Sequence, residues 1–214
     1  MNGIKIPKCT APSENNRDTE LYTFSDASEE PFAAAAVYLR TVDENGKVTT
    51  TLTITKTKLS ALKTVSAAKL ELNVAVLGAR LAKYVREGMA RKVNRKFFWT
   101  DSSCVRNWIR ASVTSYMPLV NHRIWEIQTE NQEWRFIPGK LNPSDLVTRS
   151  DLEEKKVIPE EWIKGNEFLR QPEREWPKDL PWAVVKKDIR TKLIAAVIAR
   201  KIDSNSKVQL DNLS

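Results

Sequence analysis

The pattern of apolar and polar positions is that of strands up to about residue 58 and then changes period. Residues 21–26 (LYTFSD) look like a strand, residues 33–42 (AAAAVYLRTV) are apolar and end in strand formers, and residues 47–58 (KVTTTLTITKTK) alternate Thr with Val, Leu and Ile, the period of a strand. Between the last two lies DENG (43–46), whose Asn-Gly ending is a hairpin signal. Three antiparallel strands are expected here. From Ser66 to Glu87 the period becomes helical: Leu70, Val74, Leu77, Leu81 and Tyr84 or Val85 form one stripe, and Ser66 stands where an N-cap belongs. Beside that stripe lie Glu71, Ala75, Gly78 and Ala82, small enough except for Glu71 to let the helix approach a sheet closely.

The second half of this region alternates element types. KFFWTD (96–101) is a short apolar run of the kind covered on both faces, SSCVRNWIRAS (102–112) a helix, and PLVNHRIWEIQTE (118–130) a helix with Pro118 in its first turn. EWRFIPG (133–139) reads as a strand stopped by Pro-Gly, and NPSDLVTRS (142–150) as a short capped helix beginning at Pro143. The order β-β-β-α-β-α-α-β-α predicts an α/β domain over residues 20–150, with a mixed sheet flanked by helices. Residues 1–19 read as a flexible arm. Residues 151–182, rich in Pro and Trp, read as a wrapping or linker segment, and residues 183–214 as an amphipathic helix (184–202) with a polar tail.

Composition narrows the partners. The 214 residues are 41% hydrophobic and 29% charged, as in a globular protein, and the net charge of +8 favours a polyanion, with nucleic acid first. Two cysteines (Cys9, Cys104) and one histidine (His122) make neither a disulfide framework nor a zinc site. With no signal-peptide core and no apolar run of about eighteen residues, the expectation is an intracellular protein, cytoplasmic or nuclear, that does not span a membrane.

The candidate chemistry is acidic. Asp26 and Asp101 close the first and fourth predicted strands, Glu71 lies one turn into the long helix, and Asp145 opens the last short one. If the two strands are parallel neighbours, these acids converge at one sheet edge, where ligands of open α/β sheets gather. Clustered carboxylates repel, and hard divalent cations such as Mg²⁺ or Mn²⁺ relieve that repulsion. Two such ions could clamp a phosphodiester. Taken singly, each acid is equally a cap, a turn residue or a solvated side chain.

The motifs FSDAS, KTVSAAKLEL, FFWTDSSCVRNWI and WRFIPGKLNPSDLVTR, in that order, resemble the ribonuclease H domain of retroelement polyproteins, and in particular the Pao/BEL class of LTR retrotransposons. The resemblance covers roughly residues 21–150. It implies a ribonuclease H-like fold with a five-stranded mixed sheet, and hydrolysis of the RNA strand of RNA–DNA hybrids with two Mg²⁺ ions, for which Mn²⁺ can substitute. It implies Asp26, Glu71, Asp101 and Asp145 as metal ligands and catalytic acids. The setting it implies is reverse transcription within a polyprotein, beside a reverse transcriptase polymerase domain or an integrase. Residues adjoining the acid motifs, Ser28, Ser102, Ser103, Arg106, Asn107, Lys140 and Arg149, are candidate nucleic-acid contacts, reading A-like backbone shape and the 2′-hydroxyl. The chain departs from its relatives in carrying AAAA (33–36) where a Gly is common, and in lacking a His before the last acid; His122 is read as structural or surface. Trp99, Trp108, Trp125 and Trp134 are expected in the core, with Trp162, Trp176 and Trp182 anchoring the wrapping segment. The competing reading is a domesticated module on the same fold that binds nucleic acid or protein without cutting. An integrase-like strand-transfer enzyme ranks behind both.

Overall fold

A computed structural model describes residues 18–27, 32–59, 66–89, 92–111, 118–129, 133–145 and 160–180. The chain divides into a unit of Met1–Asp179 and one of Leu180–Ser214, and every element below belongs to the first. Residues 1–17 of the expected arm, the 184–202 helix and Trp182 lie outside the described residues, while Asp18 and Thr19, expected in the arm, begin the first strand.

Three β-rich runs form strands β1 (Asp18–Ala27), β2 (Phe32–Val42) and β3 (Val48–Leu59), each antiparallel to the next. The β2–β3 turn is locked by the Asp43 carboxylate, whose Oδ1 accepts from the Asn45 and Lys47 N–H groups at 2.9 Å each. Gly46 supplies the positive φ of 78° that the turn requires. Strands β4 (Arg95–Thr100) and β5 (Glu133–Phe136) then add in parallel, giving the order β3-β2-β1-β4-β5. This is the expected five-stranded mixed sheet. A register shift between Val37 and Tyr38 leaves Thr53 extra in β3, so Leu52 packs beside Tyr38 while Ile54, two residues on, packs with Val37 on the opposite face.

Helices α1 (Ala67–Gly88), α2 (Ser103–Arg110) and α3 (Pro118–Gln128) cover one face. Leu72, Ala75, Val76, Ala79 and Ala82 of α1 pack with Phe98, Val105, Ile109, Val120, Ile124, Ile127 and Trp134. The small-residue stripe acts as expected at Gly78: a Cβ there would stand 3.0 Å from Thr23 Cγ2, so bare glycine sets how closely α1 lies on β1. Of Tyr84 and Val85, it is Val85 that completes the buried stripe, with Tyr84 69% exposed; Trp125 departs from expectation, 66% exposed on α3 instead of in the core. Ser66 occupies the N-cap position but its side chain makes no capping hydrogen bond.

The opposite face carries Tyr22, Phe24, Ala36, Tyr38, Phe97 and Trp99, and its cover comes from far along the chain. A short helix α4 (Glu160–Lys164), followed by 3-10 turns at Glu167–Arg170 and Glu173–Glu175, lays Trp162, Phe168, Leu169 and Trp176 on these aromatics. Trp176 meets Tyr22, Phe97 and Trp99 edge-on, with centroids 5.5, 4.8 and 5.8 Å away. Polar ties hold the segment down. Tyr38 Oη donates to the Trp162 carbonyl at 2.9 Å, and Arg40 donates through Nε to the Leu169 carbonyl and through Nη1 to Glu20, both at 2.9 Å.

Asp179 is the last of these ties. Its Oδ2 accepts from Arg106 Nη2 at 2.6 Å and lies 2.8 Å from Arg110 Nη2, while its Oδ1 accepts from the Phe136 N–H at 2.9 Å. Burial pushes this carboxyl up, but the Arg106 and Phe136 hydrogen bonds and the Arg110 charge outweigh it and hold it below the usual range. Arg106 is 1% exposed, so removing its partner strands a buried cation. Asp179→Ala is therefore expected to lower unfolding free energy by about 3–5 kcal/mol, measured by urea titration at pH 7. An unchanged midpoint would show that Arg106 finds other compensation.

Candidate active site

Sheet register brings the acids together. Ser25 of β1 pairs with Thr100 of the parallel β4, so Asp26 and Asp101 are the next residues outward on neighbouring strands. Both lie at the carboxyl edge of the parallel β1–β4 pairing, where ligands of open α/β sheets gather. Glu71 reaches the same edge from the first turns of α1. Ligand oxygens of Asp26, Glu71 and Asp101 all lie within 4.8 Å of one another.

Around Asp101 the chain is held by short-range bonds. Thr100 Oγ1 accepts from the Ser102 N–H at 3.1 Å, and Ser102 Oγ caps α2 by accepting from the Val105 N–H at 3.3 Å. The loop after β5 closes over the site as a 3-10 turn, Gly139–Leu141, which the sequence pattern did not indicate. Gly139 faces Asp101: a Cβ there would be 3.4 Å from Oδ2.

The electrostatics follow from burial. Glu71 is pushed up from an ordinary 4.5 to about 9, first by desolvation and then by the charges of Asp101 and Asp26. Asp101 is raised to about 7, again by desolvation first and then by Asp26, against hydrogen bonds from the backbone and Asn142 that lower it. Glu71 Oε2 and Asp101 Oδ1 are buried and have no hydrogen-bond partner among the described residues. Three close carboxylates, two of them with a buried oxygen that has no partner among the described residues, are a donor set for a hard divalent cation, so the residues present fit a metal such as Mg²⁺.

A stability signature follows. A native pKa above the unfolded value means that the folded chain holds a proton which the unfolded chain releases. The Glu71 contribution is thus most favourable below about pH 4.5 and is lost as pH rises toward 9, amounting to about 3 kcal/mol by pH 7. In chelator, the melting temperature should fall more steeply between pH 5 and 9 for the unsubstituted chain than for Glu71→Gln. Millimolar Mg²⁺ or Mn²⁺ should recover the loss only where Glu71 is present. Parallel melting curves for the two chains, with no effect of either ion, would contradict this.

The fourth acid stands apart. Asp145 is half-buried and donates its N–H to the Asn142 carbonyl at 3.1 Å, but its carboxylate is not among the three that converge. Of the expected nucleic-acid contacts, Ser102 and Ser103 are half-buried beside Asp101, and Lys140 is exposed on the overlying turn. Arg106 and Asn107 are corrections. Each is 1% exposed, and Arg106 spends its guanidinium on Asn107 Oδ1 (3.0 Å) and Asp179 beneath the surface. They hold α2 in place and present nothing to a ligand. Ser28 and Arg149 lie outside the described residues. Asn142 escaped notice in the sequence because NPSD reads as a helix start. It is 2% exposed; its Nδ2 donates to the Ser25 carbonyl at 3.0 Å and its Oδ1 accepts from the Ser144 N–H at 3.2 Å.

Residues 1–102 match the family model described as the Pao retrotransposon-like RNaseH-like domain, a span that contains Asp26, Glu71 and Asp101 and stops short of Asp145. Among solved structures, the chain is similar to a ribonuclease H1 from the halophilic archaeon Halobacterium salinarum, at 11% identity and a TM-score of 0.40 over 64% of this chain and 98% of that one. It is also similar to the N-terminal RNase H domain of a Mycobacterium tuberculosis protein, at 11% identity and a TM-score of 0.43 over 65% and 100%. A third similarity is to LC11-RNase H1 in complex with an RNA/DNA hybrid, at 14% identity and a TM-score of 0.37 over 58% and 88%. No curated protein matches the chain significantly.

Proposed function

We propose, from the premise that this chain carries a Pao retrotransposon-like RNaseH-like domain over residues 1–102, that it is a metal-dependent endonuclease cutting the RNA strand of RNA–DNA hybrids. The observation that carries the reading is the convergence of Asp26, Glu71 and Asp101 within 4.8 Å at the carboxyl edge of two parallel strands, with buried oxygens left bare. A structural cluster would have no reason to gather like charges without a counter-charge.

The roles follow from placement. Asp26, Glu71 and Asp101 would hold Mg²⁺, or Mn²⁺ in its stead, and Asp145 would join them as a fourth ligand. A bound divalent cation supplies the positive charge that activates water and stabilises the departing oxygen of a phosphodiester. The carboxylates orient that charge at the sheet edge. Lys140 on the overlying turn, with Ser102 and Ser103 beside Asp101, would steady the substrate backbone. Contacts of this kind favour a backbone shape over a base sequence, which suits a hybrid of A-like form. In a retroelement polyprotein, this activity would remove the RNA template next to a polymerase domain.

The test is strand-selective cleavage. The full chain with Mg²⁺ should cut the labelled RNA strand of a hybrid and leave its DNA strand, duplex RNA and duplex DNA intact. Hybrid binding without cutting under either Mg²⁺ or Mn²⁺ would favour the non-cutting module.

A further inference from the structure

We infer that Lys56 and Lys58, on the outermost strand, form a second contact for the hybrid's phosphate backbone, two strands away from the acids. The inference rests on the nuclease reading above and adds where its substrate is gripped.

Register places the two lysines. Ser25 pairs with Ala35 and Ala35 with Lys56, while Ala27 pairs with Ala33 and Ala33 with Lys58. Asp26 lies between these rows, pairing with Ala34, which pairs with Thr57. The end of β3 is thus level with the acid-bearing end of β1, two strand spacings or roughly 10 Å away. Neither lysine adjoins an acid motif in the sequence, so only the sheet brings them to this edge. Paired residues share a face, and Ala33 and Ala35 pack with Val74, Leu81 and Val85 of α1. Lys56 and Lys58 therefore lie on the face from which Glu71 approaches.

The chemistry changes along that row. Ile54 packs in the same apolar cluster, but two and four residues on the side chains are exposed cations. Arg40, Arg80, Arg106 and Arg135 are spent on carboxylates. Lys56 and Lys58 make no ion pair among the described residues. Uncompensated cations level with an acid centre suit a partner that carries a repeating negative charge. Lysine brings a point charge on a flexible stem, which meets phosphates and reads no base. A blander role competes: lysines on an outer strand discourage edge-to-edge pairing, and β3 is such a strand. Lys47 separates the two. It is exposed at the hairpin end of the same strand, nine residues or roughly 30 Å from Lys56, where it can guard the edge but cannot share a contact beside the acids.

The experiment is binding of a labelled RNA–DNA hybrid to the full chain in chelator, followed by fluorescence anisotropy over a series of KCl concentrations, with cleavage in Mg²⁺ alongside. Each phosphate neutralised contributes about 0.9 to the slope of log affinity against log salt concentration. Replacing both lysines (Lys56→Gln with Lys58→Gln) should weaken binding and flatten that slope by about 1.8. Lys47→Gln, the same change of charge at the far end, should keep the slope of the unsubstituted chain. If the double variant keeps both affinity and slope, or only gains self-association, the contact is overturned while cleavage by the unsubstituted chain leaves the nuclease reading standing. An equal loss in Lys47→Gln would overturn it too, since net charge alone would then explain the effect. A flattened slope in a chain that binds the hybrid but never cuts it would uphold the contact and overturn the nuclease reading.

Discussion

A chain ending at residue 159 should fail to fold cooperatively, although every strand and the three converging acids precede that point. The reason is the uncovered face of the sheet. Tyr22, Phe24, Tyr38, Phe97 and Trp99 are fully buried, and the groups that bury them are Trp162, Phe168, Leu169 and Trp176. Burying a large apolar side chain contributes about 1.5–3 kcal/mol, and four of them together approach the whole stability of an ordinary domain. The truncation also strips the partners of Tyr38 and Arg40 and leaves Arg106 without Asp179. Near-ultraviolet circular dichroism and urea unfolding decide the matter. The full chain should show fixed aromatic signals and a sharp transition, and the truncated chain neither. A sharp transition at the same midpoint would mean that the Pro/Trp-rich segment is dispensable.

Asp101→Asn should lower hybrid cleavage by about 10²–10³-fold or more, the scale seen when one preorganised electrostatic group is removed from a transition state. The same change should leave the fold intact and raise the melting temperature in chelator. It removes a carboxylate whose charged form burial and Asp26 disfavour while keeping the side chain's shape. Activity and stability moving in opposite directions is the mark of a group kept for function at a cost in stability. A variant that cuts as well as the unsubstituted chain, or that melts lower, would remove Asp101 from the role assigned to it.

Much of this architecture is written in local pattern. Strand-forming runs marked the first three strands, the third by its period of two, and the Asn-Gly turn marked the β2–β3 hairpin. The Glu71–Ala75–Gly78–Ala82 stripe pointed to the close approach that Gly78 makes to Thr23. Asp26 and Asp101 were legible because a parallel pairing places residues at two strand ends side by side, as Ser25 and Thr100 show.

What local pattern could not reveal depends on distant partners. Arg106 and Asn107 adjoin the TDSS motif and look like surface contacts. Only Asp179, 73 residues away from Arg106, explains their burial. Trp125 looks like core by composition, but α3 turns it outward and spends Val120, Ile124 and Ile127 on the interior. Alternation in β3 misleads in another way: the extra Thr53 moves Leu52 and Ile54 to opposite faces, and no residue type announces it. Asn142 was hidden because asparagine before proline has an ordinary meaning as a helix start. Its distant partner, the Ser25 carbonyl, comes from another part of the chain.

The most direct test of the account is to incubate the purified full chain with a hybrid labelled on its RNA strand, with Mg²⁺, with Mn²⁺ and with chelator, beside Asp101→Asn. The account predicts metal-dependent cutting of the RNA strand by the unsubstituted chain and none by the variant or in chelator. Cutting that persists in chelator, or that Asp101→Asn performs equally well, would contradict the claim that these converging carboxylates are the active site.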